Sequence, residues 1–87
     1  MRTPLIAGNW KMNGSKALID AFGQAFASAS LPTSIDVVVI PPFPYLDAAR
    51  QAFNDTPLQL GAQTLNPHHS GAHTGEVSGS MLKELGV

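Results

Sequence analysis

Two polar side chains near the start of the chain have types and spacing that suit the binding of a small anion. Asn9 and Lys11 follow the apolar run Leu5-Ile6-Ala7. An amide donates and accepts hydrogen bonds, and a lysine carries a positive charge on a flexible stem. Side chains two positions apart on a strand point to the same side of it. We therefore expect Asn9 and Lys11 to form part of a site for an oxygen-rich anion, with no convincing acid or base before Val87 to complete it.

A second set of chemically capable residues lies in the segment 64–78, which is rich in Gly, His, Ser and Thr and shows no periodicity. Long loops of this kind are usually functional or disordered. Imidazoles and carboxylates can bind zinc, but Pro67 and Gly71 oppose the helix that i, i+4 ligands need. Loop histidines are usually solvated, so we predict no metal site here. The residues concerned are His68, His69, His73 and Glu76.

The composition of the chain excludes several functional classes. Its 87 residues are 44% hydrophobic and 13% charged, with a net charge of −1 and no cysteine. The charge is neither basic nor clustered, which argues against nucleic-acid binding. No disulfide or thiolate site is available, and we expect no signal peptide and no membrane span. The apolar excess suggests surfaces that another part of a protein covers.

Hydrophobic patterning and turn residues predict alternating strands and helices. The run Val37-Val38-Val39-Ile40 is continuous, as in a parallel strand buried on both faces. One face of the first helix is expected to carry Leu18, Phe22, Ala25, Phe26 and Ala29. The second helix should bury Leu46, Ala49 and Phe53, and the third carries Met81, Leu82 and Leu85. The expected strands are 4–9, 35–40 and 58–63, the helices are 15–29, 44–54 and 79–85, and the long loop is 64–78.

The β-α-β-α-β-α order predicts an α/β fold with a parallel sheet and right-handed crossovers. Three strands alone leave open edges, and Val87 is placed to begin a fourth. An eight-stranded α/β barrel needs roughly 250 residues, so residues 1–87 would be the N-terminal part of one barrel domain. An open doubly wound sheet is the competing architecture, but its glycine-rich G-x-G-x-x-G turn does not follow the first strand.

Four ordered segments resemble the triosephosphate isomerase family over the whole chain. Asn9-Trp10-Lys11-Met12-Asn13 resembles the turn after that family's first strand, and Pro41-Pro42-Phe43-Pro44-Tyr45-Leu46 resembles the segment after its second. Gly61-Ala62-Gln63 resembles the end of its third strand. The long third loop and the following helix are matched by Gly71-Ala72-His73-Thr74-Gly75-Glu76-Val77-Ser78 and Met81-Leu82-Lys83.

The resemblance implies a (β/α)8 TIM barrel that interconverts glyceraldehyde 3-phosphate and dihydroxyacetone phosphate through an enediolate. It implies a cytoplasmic enzyme of glycolysis and gluconeogenesis without a cofactor. Asn9 and Lys11 match the family's catalytic and substrate-binding residues at the first strand. The family's histidine acid and glutamate base follow later strands, so neither His73 nor Glu76 takes those roles. We therefore expect the 87-residue chain alone to be inactive.

The resemblance also implies a homodimer formed through the loop 64–78. Thr74, Gly75 and Glu76 would reach the neighbouring subunit, where Glu76 would pair with an arginine that these residues do not supply. A hypothesis of a different class is a non-catalytic fragment that assembles with the remainder of a barrel or with copies of itself. A phosphate- or metal-binding miniature domain is a third and weaker alternative.

Overall fold

A computed structural model describes residues 2–87, which form one three-stranded parallel sheet with helices in the crossovers. This arrangement confirms the predicted α/β class and agrees with the N-terminal part of a TIM barrel. None of the described helices is long and apolar enough to cross a membrane. The elements are β1 Leu5–Asn9, α1 Lys16–Ala27, β2 Asp36–Ile40, a 3₁₀ turn Phe43–Tyr45, α2 Leu46–Ala52, β3 Leu58–Leu60 and α3 Gly79–Glu84.

The strand order is β1-β2-β3, and the carboxyl ends of the strands lie at one edge of the sheet. Asn9 pairs with Ile40, and Val39 pairs with Leu60. The third strand was expected to run to residue 63, but it ends at Leu60. The Gly61 N–H still donates to the Val39 carbonyl at 3.0 Å, after which Pro41 offers no N–H to continue the ladder.

The helices differ from their predicted bounds for local reasons. The Ser15 hydroxyl accepts a hydrogen bond from the Leu18 N–H at 3.1 Å, so Ser15 caps α1 from outside the helix. Ser28 forms the carboxyl cap of the same helix. The second helix begins as a 3₁₀ turn with a proline in it, and regular α-helical geometry starts at Leu46. The third helix ends one residue before the predicted bound.

The hydrophobic core lies between the sheet and the first two helices. Its buried members are Ile19, Val39, Ala49, Phe53 and Leu58. The predicted inner stripe of α2 is confirmed, because Leu46, Ala49 and Phe53 are all buried.

The predicted inner face of α1 is partly wrong. Ile19 and Gly23 are buried and the two phenylalanines are half-buried, whereas Leu18, Ala25 and Ala29 are exposed. A Cβ at Gly23 would lie 2.6 Å from the Ala52 carbonyl oxygen. The close approach of α1 to α2 at this glycine therefore determines which side of α1 is buried.

One face of the sheet is open in the described part of the chain. Every residue of β1 is exposed, including Leu5 at 63% and Ile6 at 56% of their full areas. In β2 only Val39 is fully buried, so the expectation of burial on both faces is wrong for these residues. The reason is that the helices pack against β2 and β3, which supply Val39 and Leu58 to the core, and leave both faces of β1 uncovered. The uncovered apolar strand agrees with the apolar excess of the sequence.

Candidate active site

The turn after β1 holds Asn9 and Lys11 together, although not by strand alternation. The strand ends at Asn9, and Lys11 has a φ of 55°, in the left-handed region that residues with a Cβ seldom adopt. The argument that both side chains follow one strand is therefore wrong. Instead the Asn9 side-chain oxygen accepts a hydrogen bond from the Lys11 N–H at 2.8 Å. This short-range bond is the Asx-turn type that stabilises a sharp turn.

The indole of Trp10 anchors the same turn against the body of the fold. The backbone N–H of Trp10 donates to the Ile40 carbonyl at 3.0 Å, and the indole ring meets Phe22 edge-on with centroids 5.3 Å apart. The Asn13 side chain donates to the Trp10 carbonyl at 2.9 Å. Gly14 has a φ of 119°, and a Cβ there would lie 2.8 Å from the indole. The turn 9–14 is therefore packed as well as hydrogen-bonded.

Gln63, a residue without a role in the sequence interpretation, connects the segment after β3 to the turn after β1 and to the end of β2. Its side-chain nitrogen donates to the Lys11 carbonyl at 2.9 Å and to the Ile40 carbonyl at 3.2 Å. Sequence reasoning gave Gln63 only a place in a matching segment. A usable signal was present, because residues that follow neighbouring parallel strands lie at the same edge of the sheet. A polar residue just after β3 is therefore expected near the polar residues after β1.

The arrangement presents one cation at an open edge of the sheet. Asn9 and Lys11 are both exposed, and the hydrogen bonds described for them involve no histidine or glutamate. Such a site can bind an anion and stabilise developing negative charge, but it does not itself supply a proton donor and acceptor. Within residues 2–87, no cluster of three or more histidine, aspartate or glutamate side chains is placed to hold a metal ion.

The loop 64–78 is tied together at its base. The Asn66 N–H donates to the Val77 carbonyl at 2.7 Å, and Asn66 forms an isolated parallel bridge with Ser78. The Asn66 amide nitrogen also donates to Glu76 at 3.3 Å. The imidazoles of His68 and His73 lie with their centroids 4.9 Å apart.

The outer part of this loop is exposed at Thr74, Gly75 and Glu76. Among the described residues, no hydrogen bond joins these three to Asn9 or Lys11. The structure thus joins Asn9, Lys11 and Gln63 by hydrogen bonds, and no described bond ties the predicted dimer residues to them.

Comparison with known proteins gives a consistent result. The family model described as triosephosphate isomerase matches residues 4–87. The triosephosphate isomerase of Chromohalobacter salexigens is 76% identical over 87 residues, which cover 100% of this chain and 35% of the relative. That of Alkalilimnicola ehrlichii is 49% identical, covering 99% of this chain and 34% of the relative.

A third relative, the triosephosphate isomerase of Shewanella oneidensis, is 46% identical over 93 residues, covering 99% of this chain and 36% of the relative. The chain therefore spans about a third of the length of the curated relatives that it matches.

Proposed function

The chain belongs to the triosephosphate isomerase family, and we propose that it supplies the substrate-binding lysine of an enzyme that interconverts glyceraldehyde 3-phosphate and dihydroxyacetone phosphate. The observation that carries this proposal is the position of Lys11, held in a left-handed turn between Asn9 and Gln63. Strained backbone that its surroundings maintain is typical of functional sites. The proposal includes a cytoplasmic role in glycolysis and gluconeogenesis, without a cofactor.

The charge of the substrate explains why a lysine suits this position. A triose phosphate is a dianion, and an enediolate adds negative charge close to its second carbon. The Lys11 ammonium favours binding of the dianion and stabilises the developing charge, and a preorganised group of this kind acts most strongly in the transition state. The Asn9 oxygen is occupied by the Lys11 N–H, which leaves its amide hydrogens to donate to a substrate oxygen.

Proton transfer requires groups that we place elsewhere in the protein. An isomerisation through an enediolate needs a base that removes a proton from carbon and an acid that protonates oxygen. We propose that a glutamate and a histidine from the remaining two-thirds of the barrel take these roles. The isolated 87-residue chain is then expected to have no isomerase activity above background.

A hybrid barrel tests the proposed function directly. In it, these 87 residues replace the matching segment of the C. salexigens enzyme, to which they are 76% identical. We expect the hybrid barrel to interconvert the two triose phosphates in a coupled assay at a rate close to that of the relative. A folded hybrid barrel without turnover would contradict the proposal, and the unmodified relative serves as the control.

The same proposal includes a homodimer formed through the loop 64–78. Its support is the exposure of Thr74, Gly75 and Glu76 on a loop whose base is tied by Asn66. Sedimentation of the hybrid barrel should give the mass of two subunits. A monomer throughout the concentration range of the sedimentation experiment would remove this part of the proposal.

A non-catalytic assembly module is the second candidate function. It is favoured by the fully exposed strand β1 and by the apolar side chains Leu5 and Ile6 on it. In this case the isolated chain would bind the remainder of the relative's barrel, expressed separately, or would self-associate. If the isolated chain stays monomeric in sedimentation and does not bind the separately expressed remainder of the barrel, this function is excluded.

A further inference from the structure

The amide of Gln63 bridges two carbonyl groups that belong to different elements. Its nitrogen lies 2.9 Å from the Lys11 oxygen and 3.2 Å from the Ile40 oxygen. Both partners are acceptors, so the nitrogen and not the oxygen of the amide must face them. Gln63 is half-buried, and its side chain reaches across 52 positions of sequence to Lys11.

The peptide groups on both sides of the Lys11 Cα are fixed by side chains. Asn9 accepts from the Lys11 N–H at 2.8 Å, and Gln63 donates to the Lys11 carbonyl. A left-handed backbone is unfavourable for a residue with a Cβ, and it persists only where neighbouring groups impose it. Asn9 acts within the turn itself, whereas Gln63 ties the turn to the carboxyl end of β2 through Ile40.

We propose that Gln63 is a positioning residue for Lys11, which keeps the lysine backbone in its left-handed conformation and so directs the ammonium toward the substrate. This inference rests on the proposed function, because the expected loss of activity without the Gln63 amide assumes that Lys11 binds the substrate. It assigns Gln63 no contact with the substrate. The amide acts through the Lys11 carbonyl. Removing its donor hydrogens should therefore lower kcat/KM only when the Lys11 side chain is present.

The test removes the donor while keeping the side-chain volume. Gln63→Met in the hybrid barrel should lower kcat/KM by about 10–100-fold, since small misplacements of a catalytic group have effects of this size. Gln59→Met is the matched control, because Gln59 lies on β3 and its exposed amide donates to Asp36 at 3.4 Å. We expect Gln59→Met to leave kcat/KM unchanged.

A double-mutant cycle separates positioning from a general loss of stability. In a Lys11→Ala background the lysine no longer contributes, so Gln63→Met should cause little further loss of kcat/KM. An equal loss in both backgrounds, or no loss with Lys11 present, would overturn the proposal. Gln63→Glu is a second variant of similar volume that places an acceptor against the two carbonyl oxygens, and it should show the same dependence on Lys11.

A crystal structure of a Gln63 variant provides a readout that does not depend on activity. We expect Lys11 to leave the left-handed region or to become disordered when the amide donor is absent. Lys11 remaining at a φ near 55° with an ordered side chain would overturn the positioning role. A hybrid barrel without turnover whose Gln63→Met form still displaces Lys11 would contradict the proposed function while supporting the inference about Gln63.

Discussion

The turn 9–14 and the loop 64–78 both follow strands at the same edge of the sheet, but the described residues hold them in different ways. The turn is bonded to β2 through Trp10, to the segment after β3 through Gln63, and packs against Phe22 of α1. The described hydrogen bonds of the loop stay within the loop and the start of α3. The turn is therefore held by contacts from β2, from α1 and from the segment after β3, whereas the loop is held mainly by bonds within itself.

This difference indicates which functional parts are complete in a third of a barrel. The conformation of Lys11 depends on partners within residues 9–63, so this portion can fix the lysine before the rest of the site is added. Thr74, Gly75 and Glu76 are exposed, and the hydrogen bonds described for Glu76, to Asn66 and His73, stay within the loop. We infer that the conformation of Lys11 is set by contacts within residues 9–63, whereas the outer part of the loop depends on bonds within the loop.

The largest effect should come from removing the cation at the organised turn. Lys11→Ala in the hybrid barrel is expected to lower kcat by 10²–10³-fold, which corresponds to about 3–4 kcal/mol of transition-state stabilisation. Alanine and lysine both carry a Cβ, so the backbone strain at this position is unchanged. Steady-state kinetics with glyceraldehyde 3-phosphate provide the measurement.

The control for this variant is Lys16→Ala, which removes an exposed lysine from the first position of α1. It should leave kcat and KM within about twofold of the parent values. Equal losses for Lys11→Ala and Lys16→Ala would mean that net charge, and not a positioned ammonium, determines the rate.

The packing of the turn predicts the next largest effect. Gly14→Ala adds a methyl group 2.8 Å from the Trp10 ring and forces a Cβ onto a φ of 119°. We expect the free energy of unfolding of the hybrid barrel to fall by about 2–3 kcal/mol, measured by urea denaturation. Gly79→Ala is the control, since a Cβ at that position meets no atom within 4 Å. A similar stability for both variants would show that the turn is less tightly packed than the contact with Trp10 indicates.

The turn 9–14 also shows which features could be predicted from the sequence alone and which could not. The order of elements, the sheet and the family resemblance were available from periodicity and motifs. The mechanism that holds Lys11 was not, because strand alternation suggested one geometry, whereas a hydrogen bond donated by the Lys11 N–H to the Asn9 side-chain oxygen stabilises another. Gln63 had only a place in a matching segment, because its position just past β3 indicates the edge at which it lies but not that its partner lies 52 positions away.

The helix α1 gives a second example of the same limit. Leu18 and Ile19 are both apolar and adjacent, so helical periodicity allows either to face the core. The choice is made by the close contact of Gly23 with Ala52, which is a tertiary feature. Capping at Ser15, by contrast, is a local signal, and the predicted helix 15–29 lies close to the observed Lys16–Ala27.

A smaller effect is expected at the loop, and only in the assembled protein. Glu76→Gln removes a charge but keeps the volume, and the proposed dimer should lose an ion pair with an arginine from outside these residues. We expect the dimer dissociation constant of the hybrid barrel to rise about tenfold, equivalent to about 1.4 kcal/mol, in sedimentation equilibrium. Glu84→Gln, at the exposed end of α3, should leave dimerisation unchanged. Equal dissociation constants for the Glu76 variant and the parent would remove Glu76 from the proposed interface.

The smallest effect should come from a methyl group at the tip of the loop. Gly75 has a φ of 80°, yet a Cβ there would meet nothing within 4 Å. Gly75→Ala therefore adds backbone strain without a clash, and it should lower the free energy of unfolding of the hybrid barrel by about 1 kcal/mol. If the loop tip stays open, Gly75→Ala should reduce the free energy of unfolding clearly less than Gly14→Ala does. A loss as large as that of Gly14→Ala, present at protein concentrations that favour the dimer and absent at lower ones, would mean that the partner subunit packs the loop as tightly as Trp10 packs the turn. The difference in packing between the turn 9–14 and the loop 64–78 would then exist only in the isolated third of the barrel and would disappear in the dimer.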